Sequence, residues 1–217
     1  MKGKYSCLIL AICLVVVGGM TTPAAATLLT INNPSFEYPE VAQGSGSATV
    51  DFWDKTGVGG IWHYKALPPD GVQVAFLSGG TLSQTLGYAV QQGDYTLTAS
   101  VRKYFSDNNQ QFRLQLYAVT GTGDGQLLSE VYGVPAGTKQ WDQVSFTFHD
   151  TGQYVGAPLK IVLRGSTSEL DFDMVTLDFV AAPVPIPPTA LLVGSGLLGI
   201  VFFRGRRRKS SRKGFLL

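Results

Sequence analysis

The sequence predicts an all-β fold, an antiparallel sandwich of two sheets. Apolar and polar residues alternate in several runs, such as 95–102, 112–117 and 144–149, and this period of two is typical of strands with one buried face. Turn-forming residues separate the runs at short intervals, for example at 68–71 and 121–125. No window of comparable strength has a helical period. About nine or ten antiparallel strands joined by such turns predict a sandwich.

The candidate strands follow one another along residues 27–182, which have the length of one domain. Asn32 to Glu37 form a predicted turn after the first strand, 44–47 a flexible segment, and Ser78-Gly79-Gly80 a turn between two strands. The predicted strands are 27–31, 60–66, 72–78, 81–86, 94–105, 111–120, 126–132, 140–149, 159–164 and 169–180.

Residues 1–26 are predicted to be a signal peptide that is removed on export. Lys2 and Lys4 precede an apolar run over 8–17, and three alanines at 24–26 provide a small-x-small cleavage site. Both cysteines, Cys7 and Cys13, lie in this segment. The mature chain is therefore predicted to start at Thr27 and to contain neither a disulfide nor a reactive thiolate.

The other end of the chain carries a second predicted address. A proline-rich joint at 183–188 leads into an uncharged apolar segment at 189–203, and a basic cluster follows. The prolines exclude helix from the joint, the apolar segment is shorter than the roughly 20 residues of a full membrane span, and the basic residues predict a cytoplasmic tail. The defining residues are Pro185, Ile186, Pro187, Pro188, Gly194, Ser195, Gly196, Arg206, Arg207 and Arg208.

This order of proline joint, Gly-Ser-Gly apolar segment and terminal arginines resembles the PEP-CTERM sorting signal of Gram-negative bacteria. Val184 and Ile186 stand where members of that family usually carry Glu, so the resemblance is to a variant signal. It implies an exosortase-type membrane enzyme as partner, membrane association through the C-terminal helix before processing, and a body delivered to the cell surface or extracellular matrix. The alternative is an ordinary C-terminal membrane anchor.

The charge of the body differs from that of the whole chain, which is +2. Seven of the 17 basic residues lie in the tail and two in the signal peptide, which leaves eight against all 15 acidic residues. Binding to a phosphate backbone requires clustered Lys and Arg. The sequence therefore predicts no nucleic-acid partner for the body.

Several short motifs in the body resemble the galactose-binding-like jelly rolls that are typified by carbohydrate-binding modules. The resemblance implies that Glu37 and Asp173, near the first and last strands, meet at a structural Ca²⁺, an ion that prefers carboxylate and carbonyl oxygens. The alternative is that both carboxylates satisfy backbone donors or a salt bridge. The motifs are the run from Asn33 to Glu37, Trp53, Gln84 within 82–86, 93–97, 141–148 and 172–177.

The side chains predict a non-enzymatic binding role, with polysaccharide as the expected partner. Exposed aromatic rings next to polar groups are typical of sugar-binding surfaces. For Trp62 and Tyr64, packing within the core is the alternative to a binding platform, while Trp53 and Trp141 match core positions of the resembled fold. The predicted ligand-binding residues are Trp62, Tyr64, Tyr104, Arg113 and Tyr117.

Catalytic residues are not predicted. His63 and His149 are the only histidines, and neither lies in a nucleophile or metal-binding motif. A glycan-acting enzyme would need two carboxylates, for which the pairs Asp51 with Asp54 and Asp171 with Asp173 are available. This enzyme, and a structural matrix protein without a small ligand, are the alternatives to the binding module.

Mass spectrometry of the protein from its native host tests both predicted addresses. We expect a mature chain that starts at Thr27 and lacks the basic cluster after residue 203. An intact tail on the surface-exposed form would instead indicate a plain membrane anchor.

Thermal melting with and without a chelator tests the predicted calcium site. Because an ion that binds only the folded state stabilises it, we expect chelation to lower the melting temperature by about 4 °C or more. In Glu37→Ala the chelator should have no further effect. Identical melting temperatures with and without chelator, together with an unchanged one in Glu37→Ala, would exclude the site.

Overall fold

The computed structural model describes residues 25–66, 68–106, 110–121, 123 and 125–183, and residues 1–24 of the predicted signal peptide and the defining sorting residues lie outside them. Within the described residues the fold is all-β, and no helix is long and apolar enough to cross a bilayer. The strands are β1 (Thr27–Leu29), β2 (Gly46–Ser47), β3 (Asp54–His63), β4 (Gln73–Ala89), β5 (Gly93–Lys103), β6 (Phe112–Ala118), β7 (Gln126–Gly133), β8 (Asp142–Asp150), β9 (Pro158–Gly165) and β10 (Leu170–Ala181).

These strands pair antiparallel in the order β7-β6-β9-β4-β10-β5-β8, with β1 on β10, β3 on β4 and β2 on β3. The 17-residue strand β4 connects the two halves of this path. Its first part pairs with β10 around Ala75, and its second part pairs with β9 around Ser83. The predicted antiparallel jelly-roll sandwich is thereby confirmed.

A bend at two glycines lets β4 take part in both halves. Gly79 has a φ of 79°, and Gly57, which lies opposite Gly80 on β3, has one of 71°, values that residues with side chains disfavour. A Cβ on Gly80 would lie only 2.4 Å from the carbonyl oxygen of Thr56. The turn predicted at Ser78-Gly79-Gly80 is therefore wrong, because β4 continues through these residues with a register shift against β3, and the two predicted strands are one.

The core is built from the apolar faces of both halves. The alternation predicted for 95–101 is confirmed, since Tyr95, Leu97, Ala99 and Val101 are at most 1% exposed. The opposite, polar face of β5 was expected to face solvent, and this is wrong for Ser100 and Arg102, which are 6% and 7% exposed. Other members of the core are Phe36, Trp53, Ile61, Leu77, Leu82, Leu114, Leu116, Leu159, Ile161, Leu163 and Phe172.

Replacing a glycine at the β4 bend tests how closely the strands approach there. In Gly80→Ala the new methyl group meets backbone oxygen, so we expect the free energy of unfolding to fall by about 1–3 kcal/mol in urea denaturation. Gly87→Ala, on the same strand with no atom within 4 Å of the new Cβ, is the matched control and should change it by less than about 0.5 kcal/mol. Equal effects of the two substitutions would contradict this account of the bend.

Candidate active site

Three of the rings predicted to bind a ligand line one cavity of about 520 Å³, namely Trp62, Tyr64 and Tyr104. The Trp62 and Tyr64 ring centroids are 6.4 Å apart, and those of Tyr64 and Tyr104 are 5.8 Å apart. Phe76 and Glu169 also line this cavity. An aromatic cavity of this size is suited to a flat, mostly apolar small molecule.

The strand register explains why these side chains meet. Asp171 on β10 lies opposite Arg102 of β5 and opposite Phe76 of β4, and Phe76 lies opposite Gly60 of β3. Side chains two residues apart share a face of a sheet, so Trp62 and Tyr104 stand on the same face as this row. The cavity therefore crosses four neighbouring strands.

A buried ion pair lies beneath the rings. Arg102 Nε donates to Asp171 Oδ2 at 2.8 Å, and Arg102 Nη2 lies 2.8 Å from the same oxygen, while the carboxylate is fully buried. The guanidinium is held between two aromatic faces, with its central carbon 4.5 Å from the Tyr64 ring centroid and 4.6 Å from that of Trp141. Nη2 is buried and makes no well-directed hydrogen bond among the described residues.

Burial dominates the protonation of Asp171. Loss of solvent raises the pKa of this carboxyl to about 7, although the Arg102 charge and hydrogen bond lower it and the charge of Glu169 adds to the increase. Burial also raises the pKa of Tyr64 far above its ordinary value, with smaller contributions from the charges of Asp171 and Glu169. Asp171 is thus a carboxyl that can hold a proton near neutral pH.

The hydroxyl of Tyr64 joins this carboxyl to the cavity. It lies 3.2 Å from Glu169 Oε1 and 3.5 Å from Asp171 Oδ1, and both Tyr64 and Glu169 line the cavity. A phenol has one proton to donate, so it cannot satisfy two carboxylates fully at once. A protonated Asp171 resolves this, because it can donate to Tyr64 while Tyr64 donates to Glu169.

Two predicted ligand-binding residues, Arg113 and Tyr117, lie outside the cavity lining. Both belong to β6, where Arg113 bonds Glu130 and packs over the Tyr132 ring. Tyr117 was placed on an exposed polar face with Arg113, and this is wrong: it is 8% exposed, and the register of β6 against β7 shifts between Leu116 and Tyr117, so the simple alternation ends there.

Other sequence-based assignments also need correction. Trp141 was matched to a core position, but it is half-buried and covers Arg102. Trp53 is buried, as expected. In the sequence, Asp171 was considered for catalysis only in a pair with Asp173, and Arg102 was not considered as a site residue. A charged residue between two apolar ones in a strand, as in 170–172, is nevertheless an indication of a buried site.

The side chains of Glu37 and Asp173 both contact the backbone of the segment 70–73. Glu37 Oε1 accepts hydrogen bonds from the amides of Val72 and Gln73 at 2.9 and 2.8 Å, and Asp173 accepts from the amides of Asp70 and Met174 at 2.9 and 2.7 Å. Within the described ranges, no group of three or more His, Cys, Asp or Glu side chains is placed to hold a metal ion. Both carboxylates thus satisfy backbone donors, and the calcium site stays a prediction.

Solved structures of similar fold include two cyclases from Fischerella sp. TAU. The Stig cyclase Fisc, in complex with (3Z)-3-(1-methyl-2-pyrrolidinylidene)-3H-indole, has a TM-score of 0.61 at 21% identity and covers 73% of this chain and 100% of its own. The second cyclase, in complex with 4-(1H-indol-3-yl)butan-2-one, has a TM-score of 0.60 at 22% identity and covers 72% of this chain and 99% of its own. At such identities these likenesses show the fold.

A xylan-binding CBM22-1 domain from Paenibacillus barcinonensis Xyn10C also shares the fold, with a TM-score of 0.50, 15% identity and coverage of 74% of this chain and 99% of its own. This agrees with the resemblance to carbohydrate-binding modules that the sequence motifs indicated. No curated protein matches the chain.

The model of the HpiC1-like family, described as HpiC1 cyclase, matches residues 27–178. The expectation of a non-enzymatic binding module is therefore wrong, because a cyclase is an enzyme. Delivery to the cell surface or extracellular matrix stays a prediction. The PEP-CTERM resemblance receives no support from these comparisons. The match includes Trp62, Tyr64, Arg102 and Asp171, and over this span the chain belongs to the HpiC1-like cyclase family.

Proposed function

We propose that this protein is a cyclase that closes a ring on a flat, indole-like substrate bound between Trp62, Tyr64 and Tyr104. Family membership supports the reaction class. The ligands of the two Fischerella cyclases, both indole compounds, support the substrate class. The walls of the cavity here are aromatic, and such walls favour a planar ring by stacking.

The observation that carries this proposal is the buried carboxyl of Asp171, linked to the cavity by the hydroxyl of Tyr64. Asp171 is inaccessible to solvent, and its Oδ1 is the oxygen that faces Tyr64 while Oδ2 is held by Arg102. A carboxyl whose pKa is raised to about 7 by burial can release and take up a proton near neutral pH, which is what a general acid needs.

The same network provides a route for acid-assisted ring closure. Tyr64 donates its proton, or a strong hydrogen bond, to the electrophilic end of the substrate, and Asp171 replaces that proton. The nucleophilic carbon of the substrate then forms the new ring bond, and the resulting cation gives up a proton to the Asp171 carboxylate by way of Tyr64. The acid is thereby restored, and product and substrate have the same composition. Rings of Trp62 and Tyr104 stabilise the passing positive charge through their faces.

Removing the acid is the direct test of this function. A panel of 3-substituted indoles with unsaturated side chains is incubated with the full chain, and chromatography detects cyclic products of unchanged mass. We expect Asp171→Asn to lower kcat by about 10²–10⁴-fold, because an amide cannot supply a proton, and Tyr64→Phe to lower it similarly.

Asp178→Asn is the matched control, since it makes the same change on the same strand β10 at a half-buried position outside the cavity. Its kcat should equal that of the wild type. Binding of 4-(1H-indol-3-yl)butan-2-one, followed by tryptophan fluorescence, should change little in Tyr64→Phe, because the ring remains. A wild-type protein that neither binds this ketone nor cyclises any of the panel, or an Asp171→Asn variant at full rate, would contradict the proposal.

A further inference from the structure

Glu169 is the acidic side chain in the described lining of the cavity. It precedes β10, and its backbone carbonyl accepts a hydrogen bond from the amide of Tyr104 at 3.3 Å, which fixes its position beside the rings. The residue is half-buried. A carboxylate at such a position is costly to bury unless donors meet its oxygens.

The donors present use only part of its capacity. A carboxylate offers about four lone-pair sites on two oxygens. Tyr64 donates its one proton to Oε1 at 3.2 Å. Lys65 also lines the cavity, but among the described residues Glu169 makes no ion pair with it or with another cation. Glu169 therefore has acceptor capacity left for a hydrogen-bond donor on a ligand in this cavity.

A second possible acceptor at the cavity, His63, is weaker than Glu169, because a ring whose Nδ1 donates to a carbonyl has only a neutral Nε2 lone pair left to accept. His63 lines the same cavity, and its Nδ1 is bonded to the carbonyl oxygen of Val41 at 2.8 Å. The remaining wall is largely aromatic and offers ring faces. A flat ligand stacked on these faces would reach the carboxylate with a donor on its edge.

We propose that Glu169 is a specificity-determining residue whose carboxylate accepts a hydrogen bond from an N–H group on the aromatic ring of the substrate. The inference rests on the proposed cyclase function and names the feature that selects its substrate. Holding a ring N–H in this way orients the ring in the cavity. It also stabilises the positive charge that develops on that nitrogen when a ring carbon attacks the electrophile.

A pair of ligands that differ by one methyl group tests this assignment. Dissociation constants of 4-(1H-indol-3-yl)butan-2-one and of its N1-methyl analogue are measured with the full chain by tryptophan fluorescence. We expect the wild type to prefer the N–H compound by about tenfold or more, since a hydrogen bond to a charged acceptor is lost in the analogue.

The preference should depend on the acceptor at position 169. In Glu169→Met, which keeps the bulk but offers no oxygen, the two compounds should bind within about twofold of each other. Glu169→Gln retains a neutral acceptor and should show an intermediate preference. Glu130→Met is the matched control, because it removes a carboxylate on β7 that pairs with Arg113 of β6, outside the cavity. This variant should retain the full preference.

The outcomes separate this inference from the function on which it rests. Equal affinity of the wild type for both compounds, or an undiminished preference in Glu169→Met, overturns the role of Glu169 while the cyclase proposal stands. Failure of the wild type to bind either compound contradicts the indole-like substrate and this inference together. If thermal melting shows that Glu169→Met does not fold, the wild-type ratio and Glu169→Gln decide.

Discussion

The ion pair between Arg102 and Asp171 is the constraint on which the arrangement of the site depends. It places two opposite charges, 8% and 0% exposed at their side chains, between neighbouring strands in the middle of a sheet. Loss of one partner from such a pair typically costs about 3–5 kcal/mol, because the other charge stays buried. A hydrophobic pair of similar volume would often be as stable. The pair is therefore better explained by what it does for the site than by stability.

Its effect reaches the cavity through aromatic stacking. The guanidinium is fixed by Asp171 and in turn supports the rings of Tyr64 and Trp141, so Tyr64 has a defined place although it lies beyond the end of β3. The ring of Tyr104 stacks on that of Tyr64, and the ammonium group of Lys139 lies 4.9 Å from the Tyr104 ring centroid. The stacked rings of Tyr64 and Tyr104 thus each contact a cation. One buried carboxylate positions the hydroxyl that faces the ligand.

Much of the fold follows from the sequence, and less of the site does. Period-two alternation identifies nearly every strand, and it places Trp62 and Tyr64 on one face correctly. The same rule assigns Arg102 to a solvent-facing side, since alternation cannot tell which polar face a neighbouring segment covers. The turn signal at Gly79 and Gly80 wrongly divides β4 into two strands, because glycine pairs occur both in turns and in bent strands. Asp171 carries no local motif, and only its register with Arg102 and Phe76 reveals its role.

The error about function has a physical origin that applies to jelly rolls in general. Rows of aromatic residues on a sheet bind flat ligands, whether sugars or heterocycles, so the same fold and similar rings are compatible with a binding module and with an enzyme. What separates the two here is the group beneath the rings. A sugar-binding surface needs hydrogen-bonding groups that remain in one state, whereas Asp171 has a pKa near 7 and is connected through Tyr64 to a second carboxylate, Glu169. A protein that only binds gains nothing from a buried acid poised to exchange a proton, and ring closure by proton transfer requires one.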